Sequence, residues 1–421
     1  MSTATATSSQ EEKKKAFIDG LVRSSAKALP VIADEARKAL PDLQLPNRKT
    51  EAWKYTPITA LLKKTFEKAD NQPADLKALD VPFAQQQCAV VSNGALPAGF
   101  HVEQDGIFIG GLSEALKQHG DLVRQHLGSL SEHKTEIFAA LNTLHASDVT
   151  VLIAPDGCEA EAPVYLTQAI TGAYATSPRY LVIAGKNSKI NVVITQASTC
   201  ETGFTNSVTE AIVAENAELN ICYLQQDQGL QVYQTWLSQA RDSRGGVHTF
   251  TLAGQLVRNN VYVQLNGRNI ESHLNGLYLT QDGMHVDNHT VVDHRQPDCM
   301  SDELYKGVLD GKSTGVFNGK VFVRPHAQKT NAFQSNRNIL LSDQATVNSK
   351  PELEIYADDV KCSHGSTTGR LDEEAIFYLR SRGIGADRAM RLMLQAFGEE
   401  VLERIPFEEV KTYVHSKLET I

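Results

Sequence analysis

The sequence is poor in cysteine, with 6 residues scattered among 421 and no C-x-x-C spacing. A small secreted domain held by disulfides would carry a denser set, so we interpret these residues as reduced thiols of a cytoplasmic protein. The chain also lacks any apolar run of about 18 residues, which excludes a membrane-spanning helix. No apolar segment follows the polar opening MSTATATSSQEEKKK, so we expect no secretory signal there.

Positive charge is outnumbered as well. The chain carries 41 Lys and Arg residues against 50 Asp and Glu residues, which gives a formal net charge of −9. Nucleic acids and anionic membranes are bound by basic surfaces. We therefore expect neither a nucleic acid nor a membrane as the main partner.

Two common catalytic signatures are missing. There is no H-E-x-x-H zinc motif and no G-x-G-x-x-G that opens a predicted helix. The stretch GVLDGKSTG at 307–315 resembles a phosphate-binding loop, but the spacing from Gly307 to Gly311 is one residue too short. A strand pattern, VFNGKVFVRP, follows where a helix is needed, so we predict a β-turn and no ATP binding by this chain.

Hydrophobic periodicity divides the chain into three predicted domains. Residues 1–148 show mainly helical spacing, in stretches such as PITALLKKTFEKA (57–69) and SEALKQHGDLVRQHLGSLSEHKTEIFAALNTLHA (113–146). Residues 149–364 show short apolar or alternating runs, and residues 365–421 return to helical spacing. We thus predict a mainly helical N-terminal domain, a β core and a C-terminal helical domain.

The central segment decides the fold class, which we predict to be mainly β. Turn signals separate its strands, for example Asn275-Gly276 and Asn318-Gly319. No helical pattern interrupts about 200 residues, which excludes a doubly wound α/β sheet. Two architectures remain, a sandwich or barrel and a parallel β-helix. The Asn, Gly and Asp residues at the turns favour the β-helix, but periodicity alone does not separate the two.

The stretch HVDNHTVVDHRQPDC holds three histidines, three aspartates and a cysteine. On a strand, His285, Asp287, His289 and Asp293 share one face, but His285 and His289 are then about 13 Å apart. A single zinc ion cannot bind both, because Zn–N bonds are about 2 Å long. We therefore expect a polar ladder or an interface here. The alternative is a zinc- or iron-dependent enzyme on a β-helix or cupin-like barrel, using His285, Asp287, His289 and His294.

A second candidate is the pair Cys362 and His364 in the stretch KCSHG. At i and i+2 of a strand they point the same way, with Cβ atoms about 6–7 Å apart. Thiolate and imidazole are ligands of zinc and of iron–sulfur clusters. Two ligands do not close such a site, so the residues alone leave two readings open. One is an incomplete site that another chain completes, and the other is a half-buried thiol beside a surface histidine.

Three stretches together resemble the SufB/SufD family of iron–sulfur cluster assembly proteins. They are PNRKTEAWKYTPI (46–58), the long run from HVDNHTVVDH to SHGSTTG (285–369) and IFYLRSRGI (376–384). The resemblance implies a right-handed parallel β-helix core flanked by N-terminal and C-terminal helical domains. It gives no catalytic role to KTEAWKYT, in which we interpret Trp53 and Tyr55 as packing anchors.

The resemblance also implies a function, that of a non-enzymatic scaffold subunit. The chain is expected to pair with SufB through the β-helix near 285–364, and to bind the SufC ATPase through the helices of 365–421. His364 would then contribute to a transient iron–sulfur site shared with SufB, with Cys362 beside it. No cofactor is expected to bind tightly to the lone chain, and ATP enters only through SufC. A homodimer stays possible when SufB is absent.

Overall fold

A computed structural model describes residues 12–21, 29, 32–69 and 73–420. Residues 1–11, where we expect no secretory signal, lie outside this part of the chain. The α-helices are α1 at 12–21, α2 at Ala33–Ala39, α3 at Leu112–His126, α4 at Ile137–His145, α5 at Glu373–Ser381, α6 at Ala386–Leu402 and α7 at Glu408–Leu418. Short 3-10 helices lie at Glu51–Trp53, Leu61–Lys63 and Ala84–Gln86.

Strands fill the middle of the chain. The first ten are β1 Gln87–Ser92, β2 His101–Gln104, β3 Ile107–Gly111, β4 Thr150–Ala154, β5 Val164–Ile170, β6 Ala175–Thr176, β7 Arg179–Ala184, β8 Lys189–Ser198, β9 Phe204–Val213 and β10 Glu218–Asp227. The next ten are β11 Leu230–Gln239, β12 Arg244–Thr251, β13 Leu256–Leu265, β14 Glu271–Thr280, β15 His285–His294, β16 Met300–Leu309, β17 Thr314–Val323, β18 Thr330–Leu340, β19 Thr346–Ile355 and β20 Val360–Gly369.

These strands form two long sheets that the chain visits alternately. Sheet A has the order β1-β5-β8-β10-β12-β14-β16-β18-β20, and sheet B has the order β19-β17-β15-β13-β11-β9-β7-β4-β3-β2. Every pairing is parallel except those of β3 with β2 and with β4. A chain that adds one strand to each sheet per coil, always parallel, is a parallel β-helix. The predicted mainly β class, with helices toward both ends, is confirmed, and a sandwich or barrel is excluded.

Both faces of these strands are covered, which explains their long apolar runs. In β8, Ile190, Val192 and Ile194 point into the β-helix interior, whereas Val193 points outward. The outer face of sheet A packs against α6 and α7, where Leu394 and other apolar side chains are fully buried. The outer face of sheet B is covered by the N-terminal segment and by α4. Most strands of both sheets are therefore buried, but the last strands, β19 and β20, are not.

The predicted helix at 57–69 is wrong beyond a single 3-10 turn at Leu61–Lys63. Two contacts with the β-helix override its helical spacing. The ring of Phe66 lies 5.9 Å from that of Phe204, and the Glu67 N–H donates to the Ala173 carbonyl at 2.9 Å. Tertiary contacts of this kind regularly outweigh a short propensity signal.

Two predicted turns are wrong as well. Gly276 lies inside β14 and Gly319 lies inside β17, each in the middle of a strand. A Cβ at Gly276 would come within 2.3 Å of the Tyr305 ring, and one at Gly319 within 2.2 Å of Gln334 Nε2. These glycines therefore make room for large inward side chains from the next strands and do not bend the chain.

Replacing Gly276 by Ala therefore tests the packing of the interior. We expect Gly276→Ala to lower the free energy of unfolding by about 1–3 kcal/mol, because the Tyr305 ring has to move. The measurement is urea unfolding followed by circular dichroism. Gly369→Ala is the control, since a Cβ there meets nothing within 4 Å and is expected to leave stability unchanged. Equal stability of the two variants would contradict this packing.

Candidate metal site at the last coil

The pair Cys362 and His364 lies on β20, the last strand of sheet A. Its neighbour β18 aligns Ala332 with Cys362 and Gln334 with His364. No described strand pairs with the other edge of β20, nor with the other edge of β19 in sheet B. The two candidate ligands therefore lie on the last coil, which is formed by β19 and β20. In the described part of the chain, no further coil covers its outer side.

Side chains alternate along β20, and two contacts fix which ones point inward. Cys362 packs against the interior core, and Ser366 Oγ donates to Ser349 Oγ of β19 across the interior at 2.8 Å. His364 lies between them in this alternation and shares their side. It is exposed, because no further described coil covers it. Both residues lie on one strand, as predicted, and their common orientation follows from its alternation.

Burial sets the protonation of the thiol. Cys362 is half-buried, and desolvation raises its pKa above the ordinary 9.0, although the Ala332 backbone opposes the shift. The thiol is therefore protonated at neutral pH. A thiolate ligand at this position requires a cation, a metal or a partner group, to displace the proton.

A groove on the outer face of sheet A reaches this coil and is bordered by α6. Arg404, just beyond α6, donates to Asp302 Oδ2 at 3.1 Å. Within the same patch, Glu400 of α6 pairs with Lys306 at 2.5 Å and with Arg337 at 2.9 Å. Asp302, Arg337 and Arg404 line the groove, which ends at the β20 segment 363–365. The C-terminal helices are thus tied by ion pairs to the strands next to the candidate site.

The histidines of β15 are used differently. Asp287 is buried and accepts hydrogen bonds from Thr56 Oγ1 and from the Arg258 guanidinium, and Thr56 Oγ1 also contacts His285 Nε2 at 3.0 Å. The Arg258 guanidinium lies over the Trp53 ring at 4.5 Å and donates to a backbone carbonyl of the N-terminal segment. These polar residues therefore fasten that segment to sheet B, as predicted for an interface, and Trp53 is a buried anchor, as predicted. Tyr55 is 40% exposed, so its interpretation as a packing anchor is wrong.

The other candidates of the alternative site lie apart. His294 points inward, bonds Ser301 Oγ at 2.8 Å, and has its pKa lowered to about 4 by burial. Burial lowers the pKa of His289 as well, on the outward side of the strand. Among the described residues, no group of three or more His, Cys, Asp or Glu side chains is placed to hold a metal ion. The four residues of the proposed enzyme site do not converge.

One motif was missed in the sequence. GKSTG at 311–315 has the G-x-S-x-G spacing of a hydrolase nucleophile, which requires a strand, a sharp turn and then a helix. Here the turn joins β16 to β17, and Ser313 is buried with its Oγ accepting from Thr280 Oγ1 at 2.8 Å. This serine is structural. A short bend that leads into a strand and not into a helix stands where a phosphate loop would need a helix.

Comparison with known proteins assigns the family. The model of the SUF system FeS cluster assembly SufBD core domain matches residues 166–397, and that of the SufBD N-terminal region matches 13–166. The chain belongs to the SufBD family. The Escherichia coli iron–sulfur cluster assembly protein SufD is 32% identical, over 89% of this chain and 88% of that protein. The chloroplastic protein ABCI7 of Arabidopsis thaliana is 31% identical, over 93% and 86%. The family predicted from the sequence is confirmed.

Two exposed aromatic groups in this SufBD chain had not been singled out from the sequence. Helix α5 has no buried residue, and its Phe377 and Tyr378 are 71% and 58% exposed. Near the open end of the β-helix, Phe333 on β18 and Tyr356 just after β19 are 40% and 59% exposed. Adjacent aromatic residues were visible in the sequence, but a single helical pattern does not reveal which face stays uncovered. In the described part of the chain, no helix is long and apolar enough to cross a membrane.

The raised pKa of Cys362 predicts how it reacts. Alkylation needs the thiolate, so the rate with iodoacetamide should be slow at pH 7 and rise about tenfold per pH unit up to at least pH 9. The measurement is mass spectrometry of the peptide that contains Cys362 in the lone chain, and Cys362→Ser identifies its signal. A rate that levels off below about pH 8 would contradict the burial of this thiol.

Proposed function

We propose that the chain is a non-enzymatic scaffold subunit that supplies His364 to an iron–sulfur site shared with a SufB partner. The observation that carries the proposal is the incomplete ligand pair on the open last coil. An imidazole and a thiol suit iron, but a cluster needs more ligands than the described residues bring to this place. The cluster is cargo of the complex, and the lone chain is expected to hold no cofactor tightly.

Pairing with SufB is supported by the open edges of β19 and β20. Unpaired strand edges are ready surfaces for another chain, which would extend the sheets and cover His364. The exposed Phe333, one strand in from the edge of sheet A, and Tyr356, just after β19, suit such an interface. The same edges would allow the chain to form a homodimer when SufB is absent.

Binding of SufC is assigned to the C-terminal helices, and α5 is the part free to do so. Helices α6 and α7 are fastened to sheet A, whereas α5 presents Phe377 and Tyr378 to solvent. ATP binds only to SufC in this proposal, since the chain has no phosphate loop. Movement of SufC would shift the C-terminal helices, and the ion pairs of Glu400 and Arg404 would pass that shift to the strands beside His364. This requires that ATP-bound SufC binds one arrangement of the helices more tightly than the other.

No specific observation favours the metal-dependent enzyme. Its candidates His285 and Asp287 are occupied in holding the N-terminal segment, and His294 faces the interior.

We place the protein in the cytoplasm because all six cysteines are free, as thiols in a reducing compartment are.

The first experiment measures iron and acid-labile sulfide anaerobically in three samples. They are the lone chain, the chain co-purified with SufB and SufC, and that complex with His364→Ala. We expect a cluster only in the wild-type complex, and about tenfold less iron and sulfide in the variant, whose complex should still assemble. His101→Ala is the control, an exposed histidine on β2 at the opposite end of sheet B. Stoichiometric metal in the lone chain, indifferent to His364, would refute the proposal.

A second experiment tests the docking of SufC. Removing both rings with Phe377→Ala and Tyr378→Ala should weaken SufC binding by about 2 kcal/mol, or roughly 30-fold in Kd, because exposed aromatic anchors dominate interfaces. Titration calorimetry with purified SufC measures the change. Tyr55→Ala, which removes an exposed ring from the N-terminal segment, should leave Kd unchanged. Undiminished binding by the double variant would remove α5 from the interface.

A further inference from the structure

In sheet A, one inward-facing residue of each strand stacks on that of the next strand and forms a column. The side chains of this column change from apolar to polar toward the last coil. The strand pairings of sheet A align, in order, Val192, Ile221, Val247, Leu274, Glu303, Gln334 and His364. The first four are fully buried in the apolar core. The last three are polar or ionisable, although a carboxyl group inside a β-helix costs free energy unless it is partnered.

Glu303 is fully buried and only half satisfied. Its Oε2 accepts a hydrogen bond from Thr290 Oγ1 at 2.6 Å, while its Oε1 has no hydrogen-bond partner among the described residues. Burial raises the pKa of Glu303 to about 7, and the hydroxyl of Thr290 and the amide of Gln334 oppose that shift. In the strand register, Gln334 is the next residue of the column after Glu303.

Gln334 is buried between Glu303 and His364. Neither its Nε2 nor its Oε1 has a hydrogen-bond partner of normal geometry in the described structure. Room for this amide is provided by Gly319 of β17, where any side chain would collide with Nε2. The interior therefore has room for the Gln334 amide on the strand that pairs with the His364 position.

When Glu303 is ionised, one arrangement would satisfy all three of these buried atoms. In that arrangement the Gln334 Nε2–H would donate to Glu303 Oε1, and Gln334 Oε1 would accept an N–H from the His364 ring on the neighbouring strand. Adjacent strands lie about 4.8 Å apart, which a glutamine side chain spans in either direction. Since a carboxylate only accepts, it fixes which way the amide points, and the amide then fixes which ring nitrogen carries the proton.

We propose that Glu303 and Gln334 are positioning residues that hold one ring nitrogen of His364 protonated and so present the other nitrogen, unprotonated, to a ferrous ion. Outer partners of metal-binding histidines commonly set the tautomer in this way. The iron in this statement rests on the proposed function. The choice of tautomer does not, and it belongs to the free chain.

The test is the tautomer of His364 in the full chain labelled with ¹⁵N-histidine. Long-range ¹H–¹⁵N correlation at about pH 8 separates the two neutral tautomers, and His364→Ala identifies the signal. We expect one tautomer in the wild-type chain and a mixture in Glu303→Gln and in Gln334→Leu. Glu303→Asp, which keeps the carboxylate, should restore the single tautomer at least in part.

The matched control is Gln196→Leu. Gln196 is also fully buried, and both atoms of its amide also lack partners, but it lies in β8, far from the last coil. It should not alter the tautomer of His364. Circular dichroism and urea unfolding confirm that each variant is folded, and Glu303→Gln, which conserves shape, serves if Gln334→Leu does not fold. An unchanged tautomer in folded Glu303→Gln overturns the proposal.

Iron uptake by the complex with SufB and SufC separates this inference from the proposed function. At limiting ferrous iron, Glu303→Gln should lower iron and sulfide content by about tenfold, as loss of an outer partner does. A mixed tautomer with full cluster content would keep the positioning role and refute His364 as a ligand. A single, unchanged tautomer refutes the positioning role whatever the cluster content.

Discussion

The parallel hydrogen-bond ladder between successive coils is the constraint on which the rest of the structure depends. The backbone N–H and C=O groups of a coil are all hydrogen-bonded only when a further coil lies on each side of it. The ladder must therefore end at an edge with unpaired backbone groups. The chain ends its ladder at β19 and β20 and sends its remaining helices back over sheet A. Cys362 and His364 stand on that last coil. Under the proposed function, a second β-helix completes the site that the ladder leaves open.

Apolar side chains cover both sheets, but sheet B also carries two buried ion pairs beneath the N-terminal region, Arg179 with Glu210 and Arg258 with Asp287. Such pairs add little net stability, but removing one partner leaves a buried charge and costs about 3–5 kcal/mol. They therefore fix where the N-terminal segment lies more than they stabilise it, and they explain why the acids and histidines of β15 do not form a metal centre.

The architecture could be predicted from the sequence because strand periodicity and turn residues recur through the central segment, and the family resemblance then selected the β-helix. The role of individual residues within the strands could not be predicted in this way. Gly276 and Gly319 are indistinguishable from turn glycines until the coil behind them is known. The column of Glu303, Gln334 and His364 is spaced by 31 and 30 residues, which only the strand register reveals. His364 was found through resemblance and its chemistry, whereas the exposure of α5 depends on packing that no helical pattern records.

The most direct test of the shared site is pulsed EPR on a reduced cluster in the assembled complex. This chain alone carries ¹⁵N-histidine, and SufB and SufC are unlabelled. Coordination by His364 predicts a ¹⁵N hyperfine coupling from one directly bound imidazole nitrogen, and its disappearance when His364 is replaced by alanine. A paramagnetic cluster without any ¹⁵N coupling from this chain would contradict coordination by His364.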